Sequence, residues 1–475
     1  MPNPNTPTCL IRGAAGIMTG ASGAAARHAG PDIRIRGARI EAIGALEALA
    51  GERVIDAAGC MVYPAWVNTH HHLAESLLKG LPAGINCSLS DWLVAVPLAY
   101  RGRFDEEALR VAARIGLLEL LLSGCGTVAD HNFVNFPAAG FDSAAILFEE
   151  ATALGLRFVL CRGASTLARP KANRDPRDRW GAEPFETVLR SVERAVATFH
   201  DPSDDAFRRV VMAPTTPLFE IEPGQLRECA QAGRALGIRL HTHLSETVRY
   251  AEFTYAKFGC SPVEFAARHD WLGPDVWFAH LVKLEAHEIA LLGSTGTGMA
   301  HCPQSNARLG SGIAPAVELE RAGARVSLGV DGAGSNEAAD MISEVHAAWH
   351  MQRAREGQLA RPGYDGGTRE GGGGAVTVED VIRWGTAGGA DVLGFAAGGR
   401  LVPGALADIA IYRLDEPRYL GLHDRALGPV VSGGRPFLRA LMVGGKVVAE
   451  NDRVPGLDLD ELAARARSAL ARLAH

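Results

Sequence analysis

The 475-residue chain has no cysteine pair spaced C-x-x-C, no block of basic residues and no apolar run long enough to cross a bilayer. Each absence excludes something. The eight cysteines, Cys9, Cys60, Cys87, Cys125, Cys161, Cys229, Cys260 and Cys302, are scattered. Such spacing suits buried thiols in a reducing compartment better than a disulfide framework. A formal net charge of −6 without a basic patch argues against nucleic acid or an anionic membrane as the main partner. The absence of a 20-residue apolar stretch argues against a spanning helix. The opening "MPNPNTPTCLIRG" lacks a basic segment followed by an apolar core, so no secretory signal is expected and a cytoplasmic location is.

What is present is ordinary globular material, 47% apolar and 21% charged, in a length that suits one large domain and a smaller one. The N-terminal part reads as short strands broken by glycine. "DIRIRGARIEAIG" alternates Ile33, Ile35, Ile40 and Ile43 with polar residues around a turn at Gly37. The same texture returns in "GALADIAIYRL" and "RALMVGGKVVAEND". Between them, strand-like segments each follow a helix-like one. The strands are "NTHHH", "GCGTVADH", "RFVLCRG", "RRVVMAPTTP", "IRLHTHLSE", "VWFAHLV", "TGMAHCPQSN" and "RVSLGVDGAG". Eight such units predict an α/β fold: a (β/α)8 TIM-like barrel over 66–395 with its polar strand ends gathered at one face. Segments 1–65 and 396–455 are expected to pair into a small discontinuous β-sandwich. "YDGGTREGGGG" (364–374) reads as a surface loop, and 456–475 as a docking helix with arginines on one side.

Residues 68–72 are Asn68, Thr69, His70, His71 and His72, following the apolar run "MVYPAWV", which reads as one buried strand despite Pro64. Side chains alternate along a strand, so His70 and His72 share a face and His71 takes the other. The "RLHTHLSE" strand adds His241, His243 and Glu246, "VWFAHLV" ends in His280, and "VSLGVDGAGSN" carries Asp331. Barrel closure would bring these strand ends around one axis, where three or four nitrogen and carboxylate donors with an open position can hold a water-activating metal. Singly, His280 could be a histidine bonded to a backbone carbonyl, and Asp331 a helix cap or turn residue.

"PAWVNTHHH", "HTHLSET", "FAH", "HCPQSN" and "GVDGAGSNEAADM" together resemble the metal-dependent amidohydrolase superfamily, in its branch of aminohydrolases acting on heterocyclic rings. The resemblance runs over nearly the whole chain. It implies His70, His72, His243 and Asp331 as ligands, with Glu246, His280 and Asp331 as the catalytic set. His71 is then no ligand, and His241 supports from behind. Members with two metals carry a lysine at the end of the fourth strand. Here "VVMAPTTPLFEIEP" contains none, which implies a single ion, zinc first and iron second.

The resemblance also narrows the ring. "SDWL", "SGCGTVADHNF", "MAPTTPLF" and "GTGMAHCPQSNARL" look like enzymes that deaminate isoxanthopterin and, next, 8-oxoguanine or guanine. The implied reaction is hydrolysis of an exocyclic amine on a guanine-like fused ring, with release of ammonia. Hydrolytic removal of chloride or an alkylamine from a triazine, or an inactive scaffold of the same fold, are the alternatives. Candidate substrate contacts are Trp92 as a wall, Arg162 as a bidentate donor, His301 at the ring edge, and Glu75. Related deaminases usually place glutamine where Glu75 stands. An ionised carboxylate there would only accept hydrogen bonds. The expected partners are a small heterocycle and further copies of the same chain.

Overall fold

The computed structural model describes residues 6–28, 30–135, 140–167, 182–360 and 376–474. The glycine-rich stretch 364–374 lies outside them. Eight strands form one all-parallel sheet: Trp66–Asn68, Cys125–Asn132, Arg157–Ala164, Arg208–Pro214, Leu240–Leu244, Val276–His280, Gly298–His301 and Arg325–Leu328. They occur in chain order, with helices between, as the alternation predicts. Both faces are covered, so the second and third strands are buried along their whole length. The first and eighth strands meet at a seam. Thr69 N–H donates to the Leu328 carbonyl (3.0 Å), and Val330 N–H donates to Asn68 Oδ1 (2.9 Å). Beyond it, Asp331–Gly332 pairs in parallel with His71–His72, Asp331 opposite His71. This is a (β/α)8 barrel.

Two further sheets come from the chain ends. A four-stranded sheet holds Thr8–Arg12, Asp32–Arg36, Arg39–Gly44 and Arg53–Asp56. A six-stranded sheet joins Cys60–Pro64, Gly16–Met18 and Arg27–His28 to Ile409–Arg413, Phe437–Val443 and Lys446–Glu450. They enclose a core of Ile11, Ile33, Ile35, Val62, Leu401, Ile409 and Met442, separate from the barrel's.

The apolar run before the histidines is therefore not one strand. It divides at Ala65, with Cys60–Pro64 in the six-stranded sheet and Trp66–Asn68 in the barrel. The ladder changes hands there: Ala65 N–H donates to the Asp408 carbonyl (2.9 Å) and Trp66 N–H to the Gly124 carbonyl (3.0 Å). Periodicity does not show this, because both halves are fully buried.

Buried polar contacts tie the outer sheet to the barrel. Trp66 Nε1–H donates to the Tyr412 hydroxyl (2.8 Å), which donates to the Ser123 carbonyl (2.6 Å). Gly124 must be glycine, since its φ is +91° and a Cβ would overlap that hydroxyl. Arg157, on the third barrel strand, makes a two-pronged pair with Asp408 (2.8 and 3.1 Å). The C-terminal helix, Leu459–Ala474, lies against the helix Glu106–Leu122 through Arg465–Glu107 and, just before that helix, Arg472–Asp105, each 2.8 Å. Among the described residues no helix is long and apolar enough to cross a membrane.

Removing one partner of a buried ion pair leaves the other charge unpaired in a poorly solvated place. Asp408→Ala is expected to lower unfolding free energy by about 3–5 kcal/mol in urea titrations. A loss under about 1 kcal/mol would show that the pair does not hold the outer sheet to the barrel.

Candidate active site

The seam and the adjoining strand ends bring His70, His72, His243, His280, Glu246 and Asp331 together, all buried. Four non-glycine residues with left-handed backbone sit here: Ser245 (φ +53°), His280 (+76°), Leu281 (+46°) and Asp331 (+61°). Each costs roughly 1–3 kcal/mol of strain, a cost that collects at functional sites.

The hydrogen bonds fix where the ring protons are. His241 Nδ1–H donates to the Trp277 carbonyl (3.0 Å), so its Nε2 accepts from His70 Nδ1–H (2.8 Å). His72 Nδ1–H donates to the His131 carbonyl (2.8 Å), and His243 Nδ1–H to the Thr215 carbonyl (2.6 Å). With Nδ1 protonated in all three neutral rings, every Nε2 carries a bare lone pair. Those lone pairs face one another. His72 Nε2 lies 3.2 Å from His243 Nε2, and Asp331 Oδ1 is 3.2 Å from His70 Nε2 and 3.4 Å from His72 Nε2.

Electron-rich atoms this close need a cation between them. An extra proton is a poor one, because burial, then the neighbouring His70, pushes His72 down to about 4. Burial likewise holds His70 and His243 below the usual imidazole range. The separations are those of donor atoms sharing one ion at bonds of about 2.0–2.1 Å. Three overlapping triads of close donors, His70–His72–Asp331, His70–His243–His280 and His72–His131–His243, could hold an ion, and imidazole with carboxylate suits a divalent transition metal. The fourth strand ends at Pro214 and contributes no lysine. The next residue, Thr215, instead holds His243.

His71 points the other way, with Nε2 toward the helix Glu106–Leu122 at Gly116, as strand alternation requires. Glu246 lies opposite His280, Oε2 to Nε2 3.6 Å. Asn306 Nδ2–H donates to His280 Nδ1 (3.0 Å), which leaves the His280 proton on Nε2. Burial, in part offset by His280, raises the Glu246 carboxyl above its ordinary range. Such a group holds a proton at a pH where a surface glutamate has lost it.

The cluster opens into a cavity of about 710 Å3, within the range of small-molecule sites. Glu75, Trp92, Phe133, Glu183 and Tyr250 line it together with the site residues. Trp92 is a wall fixed by its Nε1–H to the Gly334 carbonyl (3.0 Å). Arg162 and His301 do not line it. Four Arg162 N–H bonds are already made, two to Glu183 (2.6 and 2.8 Å), one to Ser191 and one to the Gly163 carbonyl. Glu183 consumes the fork expected to meet a ring carbonyl. His301 is fully buried, with Nε2 against the Gln352 amide (3.2 Å).

Glu75 also departs from expectation. It is 1% exposed, and its Oε2 has no partner. Burial, then Asp331, drives it well above the usual carboxylate range, and a bond from the Gly334 N–H brings it only partway back. That direction favours the protonated form, which can donate one hydrogen bond as well as accept others.

Sequence reasoning passed over His131, whose carbonyl holds His72, and the three small polar residues Ser305, Asn306 and Ser311. His131 is the next-to-last residue of the second strand, where the same strand-end rule would have found it. The others lie in and after "HCPQSN", a motif quoted for its resemblance alone.

Residues 61–448 match the Amidohydrolase family, and the chain belongs to it. It is 57% identical over 470 residues to an isoxanthopterin deaminase from an unknown prokaryotic organism, covering 98% of this chain and 97% of that one. Identity to the 8-oxoguanine deaminase of Pseudomonas aeruginosa is 38%, over 88% of each. Among solved structures, an amidohydrolase from a Sargasso Sea environmental sample superposes with a TM-score of 0.84 at 51% identity, covering 98% and 99%. The zinc complex of an atrazine chlorohydrolase from Arthrobacter aurescens gives 0.87 at 29%, covering 97% and 100%.

If Glu75 works in its protonated form, its neutral isostere should replace it. Glu75→Gln is expected to keep kcat/KM within about threefold of the parent on its substrate. A loss beyond about a hundredfold would mean that the carboxylate works ionised.

Proposed function

We propose that this protein is a metal-dependent hydrolytic deaminase of a guanine-like fused heterocycle, isoxanthopterin or a related pterin, releasing ammonia. The observation that carries the chemistry is the convergence of three proton-free imidazole nitrogens and a carboxylate at one end of a cavity of about 710 Å3. The relative of 57% identity named for isoxanthopterin narrows the ring. The 38% relative supports 8-oxoguanine as the second reading.

In this reading His70, His72, His243 and Asp331 hold one divalent ion, zinc in the first instance and iron in the second. When bound, the ion supplies a water acidified toward neutrality. Asp331 accepts the proton released as the water oxygen adds to the amino-bearing carbon. Glu246 delivers its proton to the adjacent ring nitrogen, so the added electrons rest on a neutral N–H rather than an anionic ring. His280 Nε2–H donates to the new oxygen and steadies its charge. Asp331 passes its proton to the amine, the hydroxyl proton of the adduct returns to Glu246 as the oxygen becomes a carbonyl, the C–N bond breaks, and ammonia leaves. Glu75 and Trp92 orient and wall the ring. The working form is taken to be a homo-oligomer.

Ammonia release over isoxanthopterin, pterin-6-carboxylate, 8-oxoguanine, guanine and cytosine is expected to be fastest with isoxanthopterin. A clear lead for 8-oxoguanine would move the assignment to oxidised purines. Chloride or alkylamine release from triazines without ammonia from any of these would end the deaminase reading. Glu246→Gln should lower kcat by about 10²–10⁴ with metal content unchanged. Exhaustive chelation should abolish turnover and zinc or iron restore it. Undiminished turnover after chelation would remove the metal from the account.

A further inference from the structure

One short stretch of chain reaches all three groups that would handle protons. The helix Pro303–Arg308 follows the seventh barrel strand and runs into a turn at Leu309–Gly312. Ser305 Oγ–H donates to Asp331 Oδ2 (2.6 Å). That leaves Oδ1 for the imidazole nitrogens of His70 and His72. Asn306 Nδ2–H donates to His280 Nδ1 (3.0 Å), so the His280 proton sits on Nε2. Ser311 Oγ–H donates to Glu246 Oε1 (3.0 Å), which leaves Oε2 as the oxygen toward His280. Ser305, Asn306 and Ser311 are all buried.

The stretch is itself fixed. Gln304 donates to Ser343 (3.2 Å) and to Glu344 on the helix Met341–Leu359, and its own N–H is held by Glu344 (3.2 Å). The Asn306 carbonyl accepts from Ser311 N–H (2.9 Å), which folds the turn back on the helix. Gly310 and Gly312, with φ of +69° and +113°, flank Ser311. Only glycine takes both conformations without strain, and together they set the direction of the serine between them.

We propose that residues 303–312 act as a single positioning element, in which Ser305, Asn306 and Ser311 select the reactive atom of Asp331, His280 and Glu246 respectively. The proposal rests on the deaminase reading above and deepens it. Each contact settles a choice between two candidate atoms: two carboxylate oxygens in Asp331, two ring nitrogens in His280, two carboxyl oxygens in Glu246. A positioned acid or base works only if the correct atom faces the reacting group. Drawing all three choices from one rigid segment keeps them mutually consistent.

The test compares Ser305→Ala, Asn306→Ala, Asn306→Asp, Ser311→Ala and Ser311→Thr in the metal-loaded full chain, with Glu246→Gln alongside. Asn306→Ala and Ser311→Ala should lower kcat about 10–100-fold, with KM within about threefold and the metal-to-protein ratio and melting temperature near those of the parent. Ser305→Ala, which touches a proposed ligand, should also weaken metal retention about 10–100-fold. Asn306→Asp keeps the shape but offers no donor to Nδ1, so it should be as slow as Asn306→Ala. Ser311→Thr keeps the hydroxyl and should regain most of the rate. Parent-like kcat in Asn306→Asp and Ser311→Ala, with Glu246→Gln inactive, would overturn the positioning element and leave the deaminase reading standing. A fully active Glu246→Gln would instead sink the reading beneath it. Losses that follow melting temperature alone, without rescue by threonine, would reduce the segment to packing and also overturn the proposal.

Discussion

The site depends on a repulsion. Three neutral imidazoles point unprotonated nitrogens at one another and at a carboxylate, inside a core where burial makes extra protons expensive. Everything nearby serves to hold these atoms in that unfavourable arrangement. Carbonyls of Trp277, Thr215 and His131 pin the opposite ring nitrogens, directly or through His241. The left-handed turns at His280 and Asp331 are part of the same enforcement. A scaffold spends stability on such an arrangement when a cation, by binding, recovers it.

The seam explains why a barrel supplies this so readily. His70 and His72 leave the first strand while Asp331 leaves the eighth, and the pairing of Asp331 with His71 closes the ring of strands. Residues some 260 positions apart become neighbours through backbone hydrogen bonds alone. The same pairing puts His71 outside and its two neighbours inside.

Much of this was legible in the sequence, for identifiable reasons. Period-two alternation separated His71 from His70 and His72, and strand-helix alternation located all eight barrel strands. The misreadings have a common cause: they depend on what a residue meets from far away. "MVYPAWV" looks continuous because both halves are buried, yet its ladder partners, Asp408 and Gly124, lie in different parts of the fold. Arg162 looked free because Glu183, which occupies its fork, stands 21 residues on. The upward pull on the Glu75 carboxyl comes from burial and from Asp331, which the letters around it do not show. Ser305, Asn306 and Ser311 are short polar residues of the kind that cap helices and fill turns. Only the coordinates reveal that each touches a different proton-handling group.

The changeover at Ala65 has one more consequence. Only Ala65 separates the strand that leads into His70 and His72 from the end of a strand of the outer sheet, so there is no slack between them. That outer sheet is thus an anchor for the strand that leads into His70 and His72, in the way a bridge abutment holds the first span. A barrel cut free at this junction would keep its helices and most of its walls, yet its foremost histidines would hang from a loose end.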